Sequence, residues 1–326
     1  MRPVSVIILN WNGKALLAEF LPYVLRNTNP EIGEIVVADN GSDDGSVDFL
    51  EHNFPGVRII RLDRNYGFAE GYNRAIAQTD SPYCLLLNSD VAPEKGWIEP
   101  LYSFMESHPE AGAVQPKIRS YRQREKFEHA GAAGGLIDRH GFPYCLGRIF
   151  DNVETDRGQY DGGAHEIFWA SGAAMLTRTS LYNECGGLDA SFFAHQEEID
   201  FCWRIQLRGW KVYSVPQSVV YHLGGGSLPY SNPRKTYLNF RNNLLMMAKN
   251  LPRRDRRRAL IVRRLIDTAA FLKFAFTFDF ANAKAVLRAH RDFARMQGGY
   301  SSPEGDVPNL LKGKPDILRR HYLGGK

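Results

Sequence analysis

Short apolar runs and helix-like segments alternate through the first hundred residues, and this alternation constrains the fold more than any other feature. The apolar runs lie at 4–9, 34–38, 57–62 and 83–87. Continuous runs of this kind are typical of strands that are buried on both faces of a parallel sheet. The segments between them, which have the character of helices, lie at 14–27, 44–53 and 67–79. Repeated strand–helix units predict an α/β fold with right-handed crossovers.

Each of the four apolar runs is followed by residues rich in Asn, Asp and Gly. The four endings are Asn10-Trp11-Asn12-Gly13, Asp39 to Ser46, Asp63 to Phe68, and Asn88-Ser89-Asp90. One such ending is a turn, because Asn, Ser and Asp side chains bond to their own backbone. Ligands of open α/β sheets bind at the carboxyl ends of the strands, so four polar endings together predict a binding site at that edge.

The ending Asn88-Ser89-Asp90 has the chemistry of a divalent cation site. Mg²⁺ and Mn²⁺ prefer oxygen ligands, and magnesium is often held by one or two protein groups together with substrate phosphates. Asp90 is therefore a candidate metal ligand. His222 ends a later apolar run and precedes glycines 224–226, whose backbone would approach a phosphate closely. It is a candidate second ligand, and a hydrogen-bonded surface histidine is the alternative.

Three carboxylates, those of Glu197, Glu198 and Asp200, open a predicted helix that runs to Arg208 and ends at Gly209. The positive end of a helix dipole stabilises carboxylates, so simple charge complementarity is one interpretation. A general base for a hydroxyl nucleophile is the other. The residues alone leave both interpretations open.

The regular alternation is lost after residue 110. Residues 120–165 are rich in Gly, Arg and Asp and predict an inserted hairpin or long loop. The stretch 166–178 predicts a strand that is broken at Ser171 and Gly172. Two further short strands are expected at 210–215 and 218–222.

The chain changes character at residue 233. Three helices are predicted, at 234–250, 253–277 and 281–297. From Arg234 onward there are 21 Lys and Arg against 7 Asp and Glu, whereas the preceding residues carry 20 against 29. A basic amphipathic helix that lies on an anionic membrane is one interpretation, and a packed helical subdomain with a solvated basic face is the other. Nucleic acid is not an expected partner, because the sequence has no binding motif and no aromatic platform.

Composition and cysteine usage indicate the cellular compartment in which the protein is expected. The chain is 44% apolar and 24% charged, as in ordinary globular proteins. Its four cysteines show no metal-ligand spacing, which favours a reducing compartment. The first apolar run is too short for a signal peptide. We therefore expect a cytoplasmic protein, peripheral on the inner face of the cytoplasmic membrane if its basic helices bind there.

Eight stretches together resemble the family 2 glycosyltransferases, in the inverting bacterial branch of rhamnosyltransferase-like enzymes. They include V-V-A-D-N-G-S-D-D-G-S (36–46), L-L-L-N-S-D-V (85–91), E-E-I-D-F-C-W-R (197–204) and Y-H-L-G-G-G-S (221–227). The others lie at 4–13, 65–73, 171–176 and 186–193. The resemblance implies a GT-A fold over residues 1–232, with a nucleotide-binding half (1–110) and an acceptor half (111–232). Residues 233–326 would form a basic helical extension.

The resemblance also implies roles for single residues. Asp39 would contact the nucleotide base, and Asp90 and His222 would hold Mg²⁺ or Mn²⁺ with the donor diphosphate. The other residues expected at the donor are Asn10, Asn12, Asn65, Gly67, Asn73 and Asn88. The residues expected at the acceptor are Trp169, Ser171, Gly172 and His195. Glu198 would be the catalytic base.

Two departures from the family pattern keep alternatives open. Asn88 stands where the family has an aspartate, and Glu198 stands where the base is usually Asp, so Glu197 and Asp200 remain alternative bases. The expected donor is dTDP-rhamnose or a UDP-sugar, and the expected acceptor is a glycan or a polyprenyl-diphosphate-linked sugar of the cell envelope. A nucleotidyltransferase and a catalytically silent sugar- or lipid-binding relative are the rival interpretations.

Overall fold

A computed structural model describes residues 2–128, 131–224 and 232–323 of the chain. The helices are α1 (Lys14–Asn27), α2 (Ser46–Asn53), α3 (Gly67–Ile76), α4 (Ile98–Ser107), α5 (Thr179–Glu184), α6 (Glu197–Leu207), α7 (Pro233–Asn250), α8 (Arg253–Phe276), α9 (Phe280–Met296) and α10 (Ile317–Leu323). The first six strands are β1 (Val4–Asn10), β2 (Gly33–Asp39), β3 (Arg58–Arg61), β4 (Tyr83–Asn88), β5 (Val91–Pro93) and β6 (Ala111–Ser120). The others are β7 (Gly135–Ile137), β8 (Pro143–Cys145), β9 (Arg148–Ile149), β10 (Asn152–Val153), β11 (His165–Ile167), β12 (Ala174–Arg178) and β13 (Lys211–His222).

The predicted α/β class is confirmed by a mixed nine-stranded sheet. Its strands follow the order β11-β13-β6-β12-β4-β1-β2-β3, and β5 pairs with β13. The strands β4, β1, β2 and β3 are parallel, as the apolar runs predicted. The side chains of β1, β2 and β4 are largely buried, with Val6, Ile8, Val37, Leu85 and Leu87 in the main core, whereas the edge strand β3 exposes its two arginines. This burial explains why the runs are continuously apolar rather than alternating.

The later elements differ in part from the sequence prediction. The two strands expected at 210–215 and 218–222 form one strand, β13, which continues across a register shift between Val215 and Val219. The broken strand expected at 166–178 is two strands, β11 and β12. The inserted segment carries a separate four-stranded sheet in the order β10-β9-β8-β7. Pairing between distant strands decides these boundaries, and local sequence does not report it.

The chain divides into two compact units. The first contains Met1–Leu136, Tyr144–Phe193 and Phe201–Gly224, and therefore the whole nine-stranded sheet. The second contains Ile137–Pro143, Ala194–Asp200 and Gly225–Lys326. In this second unit α7 packs on α9, with Leu244, Met247 and Phe293 fully buried. Among the described residues, none of the helices is both long and apolar enough to cross a membrane.

Candidate active site

The polar ends of the strands meet at one edge of the nine-stranded sheet. In the parallel register Asn10 lies opposite Asp39, and Leu9 lies opposite Asn88. Strand β13 runs antiparallel to β5 and places His222 opposite Val91, the residue after Asp90. The topology thus brings to one edge side chains as distant in the sequence as Asn10 and His222.

The ends of β1 and β2 are joined by a hydrogen-bond network. The amide of Asn10 donates to Asp39 Oδ2 at 3.0 Å and to the Ser42 hydroxyl at 3.2 Å. Asn12 donates from its amide to Asp43 Oδ1 at 2.7 Å. Asp39 is buried, and its other carboxylate oxygen accepts the backbone N–H of Ser42 at 2.9 Å. The network fixes the Asp39 side chain at the position predicted to contact the nucleotide.

The turn after β3 is fixed by hydrogen bonds from Asn40, the residue that follows β2. Asn40 donates from its amide to Asn65 Oδ1 at 3.2 Å and to the carbonyl of Gly67 at 3.1 Å. Gly67 has a φ of +79°, and a Cβ at this position would lie 2.6 Å from a ring carbon of Phe193. Only glycine satisfies both conditions, so packing alone explains Gly67, whatever its part in donor binding.

Asp90, His222 and Glu128 form a buried row at the same edge. His222 Nε2 lies 3.1 Å from Asp90 Oδ1, and His222 Nδ1 lies 3.1 Å from Glu128 Oε2. The Asn88 amide lies 3.4 Å from His222 Nε2. Burial alone would lower the pKa of His222, but the two carboxylates beside it raise that pKa to about 10. The imidazole without a metal is therefore protonated and bridges two carboxylates.

The same row fits a divalent cation. Adjacent ligands of an octahedral Mg²⁺ or Mn²⁺ lie about 3 Å apart, which matches the 3.1 Å between Asp90 Oδ1 and His222 Nε2. Glu128 accepts from Nδ1, which leaves the Nε2 lone pair for the cation. Within residues 2–128, 131–224 and 232–323, no group of three or more His, Cys, Asp or Glu side chains is arranged to hold a metal. Two protein ligands are the number expected where a diphosphate supplies the others.

Glu128 was not among the residues predicted from sequence. It lies in the Gly- and Arg-rich insertion, where no motif surrounds it, and its contact with His222 spans 94 positions of the chain. The glycines at 225 and 226, which were expected to approach a phosphate, lie outside the described residues.

Glu128→Gln is expected to weaken Mn²⁺ binding by about 10- to 100-fold, because the neutral amide accepts a weaker hydrogen bond from Nδ1 and no longer raises the basicity of the histidine. Electron paramagnetic resonance of free Mn²⁺, titrated with the protein in the presence of UDP, measures this affinity. Glu125→Gln is the matched control, since Glu125 is exposed three residues away. Equal affinities for the two variants would contradict the orienting role of Glu128.

The candidate bases Glu197, Glu198 and Asp200 belong to the second unit. They lie in a segment with an unusual backbone, residues 194–200, which we name the acid turn. His195 and Gln196 have φ values of +72° and +71°. Such values are uncommon for residues other than glycine and persist only where neighbours enforce them. Helix α7 provides that support, since the Asn242 amide donates to the carbonyls of Ala194 at 2.9 Å and His195 at 2.7 Å. Asn243 donates to Gln196 Oε1 at 2.9 Å.

The three carboxylates of the acid turn have different surroundings. Asp200 is fully buried and accepts from Lys249 Nζ at 3.0 Å and from the Asn250 amide at 2.7 Å. Glu197 is also buried, whereas Glu198 is half-buried. Among the described residues, the Oε2 atoms of Glu197 and Glu198 accept no hydrogen bond. Asp200 is thus occupied by two donors, whereas Glu198 is a half-buried residue whose buried Oε2 accepts no hydrogen bond.

Burial also shifts the acidity of the two glutamates. It raises the pKa of Glu198 to about 7, although backbone N–H groups of the turn oppose the shift. The pKa of Glu197 is raised well above its ordinary value by burial and by the charge of Glu198 beside it. A carboxylate with a pKa near neutrality is suited to accept a proton from a hydroxyl.

Asn250→Ala is expected to destabilise the protein by about 1–3 kcal/mol, because it leaves the buried Asp200 carboxylate with one donor fewer. Urea unfolding followed by circular dichroism measures the change in unfolding free energy. Asn53→Ala is the control, since Asn53 makes an exposed bond from its amide to the Phe49 carbonyl on α2. A change no larger than that of the control would show that Asp200 does not depend on Asn250.

Four other predicted residues are engaged within the first unit. The Trp169 indole is 5% exposed and donates to the Leu136 carbonyl at 2.7 Å. Ser171 and Gly172 are buried in the connection between β11 and β12. Asn73 uses both ends of its amide on the segment 182–188, accepting from Tyr182 at 2.6 Å and donating to the Leu188 carbonyl at 2.8 Å. Their donor and acceptor roles stay predictions. Because they are buried, these residues are placed to hold neighbouring segments in position rather than to contact a ligand directly.

Comparison with known proteins places this geometry in a family. The model of glycosyl transferase family 2 matches residues 5–182, which is more than half of the chain. The chain belongs to glycosyl transferase family 2. The match covers Asp39, Asp90 and Glu128, and ends before the acid turn and His222.

Among curated proteins, this family 2 glycosyltransferase is similar to rhamnosyltransferases. It is 28% identical over 234 residues to N-acetylglucosaminyl-diphospho-decaprenol L-rhamnosyltransferase of Mycobacterium tuberculosis, covering 67% of this chain and 75% of that protein. It is 23% identical over 207 residues to rhamnosyltransferase WbbL of Escherichia coli, covering 61% of this chain and 76% of that protein. The predicted rhamnosyltransferase-like branch is thereby confirmed.

Solved structures confirm the GT-A fold. The crystal structure of GalNAc-T7 with UDP, GalNAc and Mn²⁺ matches with a TM-score of 0.57 at 16% identity, over 76% of this chain. The match covers 48% of the GalNAc-T7 chain, so this glycosyltransferase spans about half the length of that protein. The likeness concerns the fold, an α/β sheet with helices at the C-terminal end.

Proposed function

We propose that this chain is an inverting glycosyltransferase whose donor is dTDP-rhamnose, with a UDP-sugar as the second choice. The acceptor is a hydroxyl of a glycan carried on a polyprenyl diphosphate, as in cell-envelope polysaccharide or O-antigen synthesis. The pairing of Asp90 with His222 at 3.1 Å, at the carboxyl edge of the sheet, carries the assignment of a donor diphosphate site. The rhamnosyltransferase names of the two relatives support the choice of sugar, and the name of the mycobacterial relative supports the lipid-linked acceptor.

The donor lies along the strand ends of the first unit. Asp39 contacts the nucleotide base, with Asn10, Asn12, Asn65 and Asn88 lining the same edge. Asp90 and His222 hold the divalent cation, Mg²⁺ or Mn²⁺, and Glu128 orients the histidine. The cation, when bound, neutralises negative charge that develops on the leaving diphosphate.

Glu198 removes the proton from the acceptor hydroxyl. The hydroxyl oxygen then forms a bond to the anomeric carbon as the bond from that carbon to the diphosphate oxygen breaks. Attack from the face opposite the diphosphate in a single displacement inverts the anomeric configuration, and the nucleoside diphosphate leaves. Support for Glu198 over Asp200 comes from its Oε2, which accepts no hydrogen bond, and from a pKa of about 7.

Each unit contributes residues to the proposed acceptor assignment. His195, Trp169, Ser171 and Gly172 remain the proposed acceptor residues. A cavity of about 260 Å³ borders the insertion and is lined by Ser120, Gln123, Lys126, Glu128, Arg148 and Asp151. Cations and carboxylates of this kind bind sugar hydroxyls and phosphates, which supports a place for the acceptor head group there. The enzyme would bind its lipid-linked acceptor on the inner face of the cytoplasmic membrane.

The test is a donor panel with the purified chain, a short-chain polyprenyl-diphosphate N-acetylglucosamine as acceptor, and Mn²⁺ or Mg²⁺. Release of nucleoside diphosphate is measured for each sugar nucleotide, with a chelator control, and the product's anomeric configuration is determined by NMR. We expect metal-dependent release from dTDP-rhamnose and an inverted linkage.

Other outcomes discriminate among the alternatives. A retained linkage would contradict the single displacement. Release of pyrophosphate from a nucleoside triphosphate and a sugar phosphate would instead identify a nucleotidyltransferase. Neither binding nor turnover of any donor would favour a catalytically silent relative and overturn the proposal.

A further inference from the structure

Helix α8 of the second unit buries an ion pair on one face and exposes large apolar side chains on the other. Its buried residues are Leu260, Arg263 and Asp267, which are spaced on one face. Arg263 donates to Asp267 at 2.8 Å, and Asp267 also lies 3.0 Å from His290 of α9, so this inner face holds an ion-pair network. Helices in water normally bury apolar side chains and expose charged ones. Leu260 is buried on the same face as this network, and the exposed apolar residues of α8 lie on its outer face.

The outer face of α8 carries a stripe of apolar residues that continues into the turn before α9. Four of its members are spaced by four, seven and four residues, as one helical face requires. The stripe, which we name the hairpin-tip surface, consists of Ile261, Leu265, Leu272, Phe276, Phe278 and Phe280. Phe276 and Phe278 are 79% and 78% exposed, and Phe280 is 63% exposed. Contiguous exposure of large apolar side chains marks an interaction site.

The backbone of the turn holds these rings outward. Phe278 has a φ of +59°, a conformation that is rare for an aromatic residue. Asp279 then caps α9, accepting the backbone N–H of Asn282 at 3.1 Å and its amide at 2.7 Å. Phe278 and Phe280 lie edge to face, with ring centroids 6.1 Å apart. The tip is thus an ordered, hydrogen-bonded turn that presents three phenylalanines.

Cations surround the hairpin-tip surface. Arg257, Arg258, Arg264 and Lys273 are exposed along α8, beside or between the apolar residues. Lys284 is exposed on the first turns of α9. A surface of large apolar side chains rimmed by Arg and Lys matches the boundary between acyl chains and anionic lipid headgroups. A second protein surface would need no such ring of one charge sign.

We propose that the hairpin-tip surface inserts into the interface of an anionic lipid bilayer, with Phe276, Phe278 and Phe280 reaching the acyl chains. The cations of α8 contact the lipid phosphates. This inference deepens the proposed function, because an enzyme held at the bilayer meets a polyprenyl-linked acceptor where its head group lies. The test needs neither donor nor acceptor, so its outcome is separate from that of the donor panel.

The experiment is co-sedimentation of the full chain with sucrose-loaded vesicles of equal parts phosphatidylglycerol and phosphatidylcholine, and with vesicles of phosphatidylcholine alone. We expect binding to the anionic vesicles that weakens with salt. The variant F276S/F278S/F280S is expected to lose at least about tenfold in partition coefficient. Leu25→Ser is the matched control, since Leu25 is an exposed apolar residue on α1. A second variant, R257Q/R258Q, is expected to reduce binding to the anionic vesicles alone.

Circular dichroism of each variant verifies that it is folded. Unchanged binding of the folded phenylalanine variant, or no binding of the unaltered chain to anionic vesicles, would overturn the proposal. The alternative is that a second copy of the chain covers this surface, and light scattering tests it by measuring the oligomeric state. A dimer of the unaltered chain that the phenylalanine variant abolishes would assign the hairpin-tip surface to a second copy and also overturn it.

Discussion

Glu198→Gln is expected to lower kcat by about 10²- to 10⁴-fold, the usual contribution of a positioned general base. The amide keeps the size of the side chain but cannot accept the hydroxyl proton. Donor KM should change little, since Glu198 is assigned to the acceptor hydroxyl rather than to the nucleotide. The rate of nucleoside diphosphate release at saturating donor, with the acceptor present, measures kcat.

The same assignment predicts a pH dependence with a definite sign. Burial raises the pKa of Glu198 to about 7, so the active carboxylate form is lost as pH falls below neutrality. Turnover should therefore rise with pH through about 7 and then level off. The Glu198→Gln residual rate should lack this rise.

Glu197→Gln and Asp200→Asn are the comparison variants for the base. Asp200 is held by Lys249 and Asn250, so its substitution should act mainly on stability, which thermal unfolding measures. Glu197→Gln should retain the pH-dependent rise. If a folded Asp200→Asn protein lost turnover while Glu198→Gln kept it, the base would be misassigned.

Asp90→Ala is expected to abolish metal-dependent turnover, with a fall of about 10²- to 10³-fold or more, since charge on the leaving diphosphate is no longer neutralised. Mn²⁺ affinity should fall with it, because His222 alone remains of the two protein ligands. Turnover is measured by nucleoside diphosphate release, and Mn²⁺ binding by electron paramagnetic resonance.

Asp80→Ala is the control for this variant, because Asp80 is an exposed aspartate outside the strand ends. Retention of full Mn²⁺ affinity by Asp90→Ala would place the metal elsewhere. Loss of affinity with unchanged turnover would show that the reaction does not need the cation.

The buried strands and the C-terminal helices were predicted correctly, because each is encoded by its own stretch of sequence. The buried strands β1, β2 and β4 are continuously apolar, so their existence and the polar character of their ends were visible. Helices α7, α8 and α9 begin within a residue of their predicted positions because each has its own periodic pattern. The parallel arrangement then follows from the strand–helix repeat.

Features that depend on distant pairing were missed. Glu128 meets His222 only because β6 and β13 pair side by side, which no local pattern reports. The exposure of the apolar residues on the outer face of α8 was also missed, since the sequence of a helix does not tell which face is buried. The support of the acid turn by Asn242 and Asn243 also depends on tertiary packing.

The contacts between α7 and the acid turn determine how this chain can be truncated or joined to part of another protein. A chain cut at residue 232 keeps Glu198 but loses Asn242 and Asn243, which bond to the left-handed part of the turn, and Lys249, which bonds to Asp200. The C-terminal helices of this chain therefore support the proposed base. In a chimera of this chain with a relative, we expect residues 194–200 to keep their conformation only when α7 comes from the same parent.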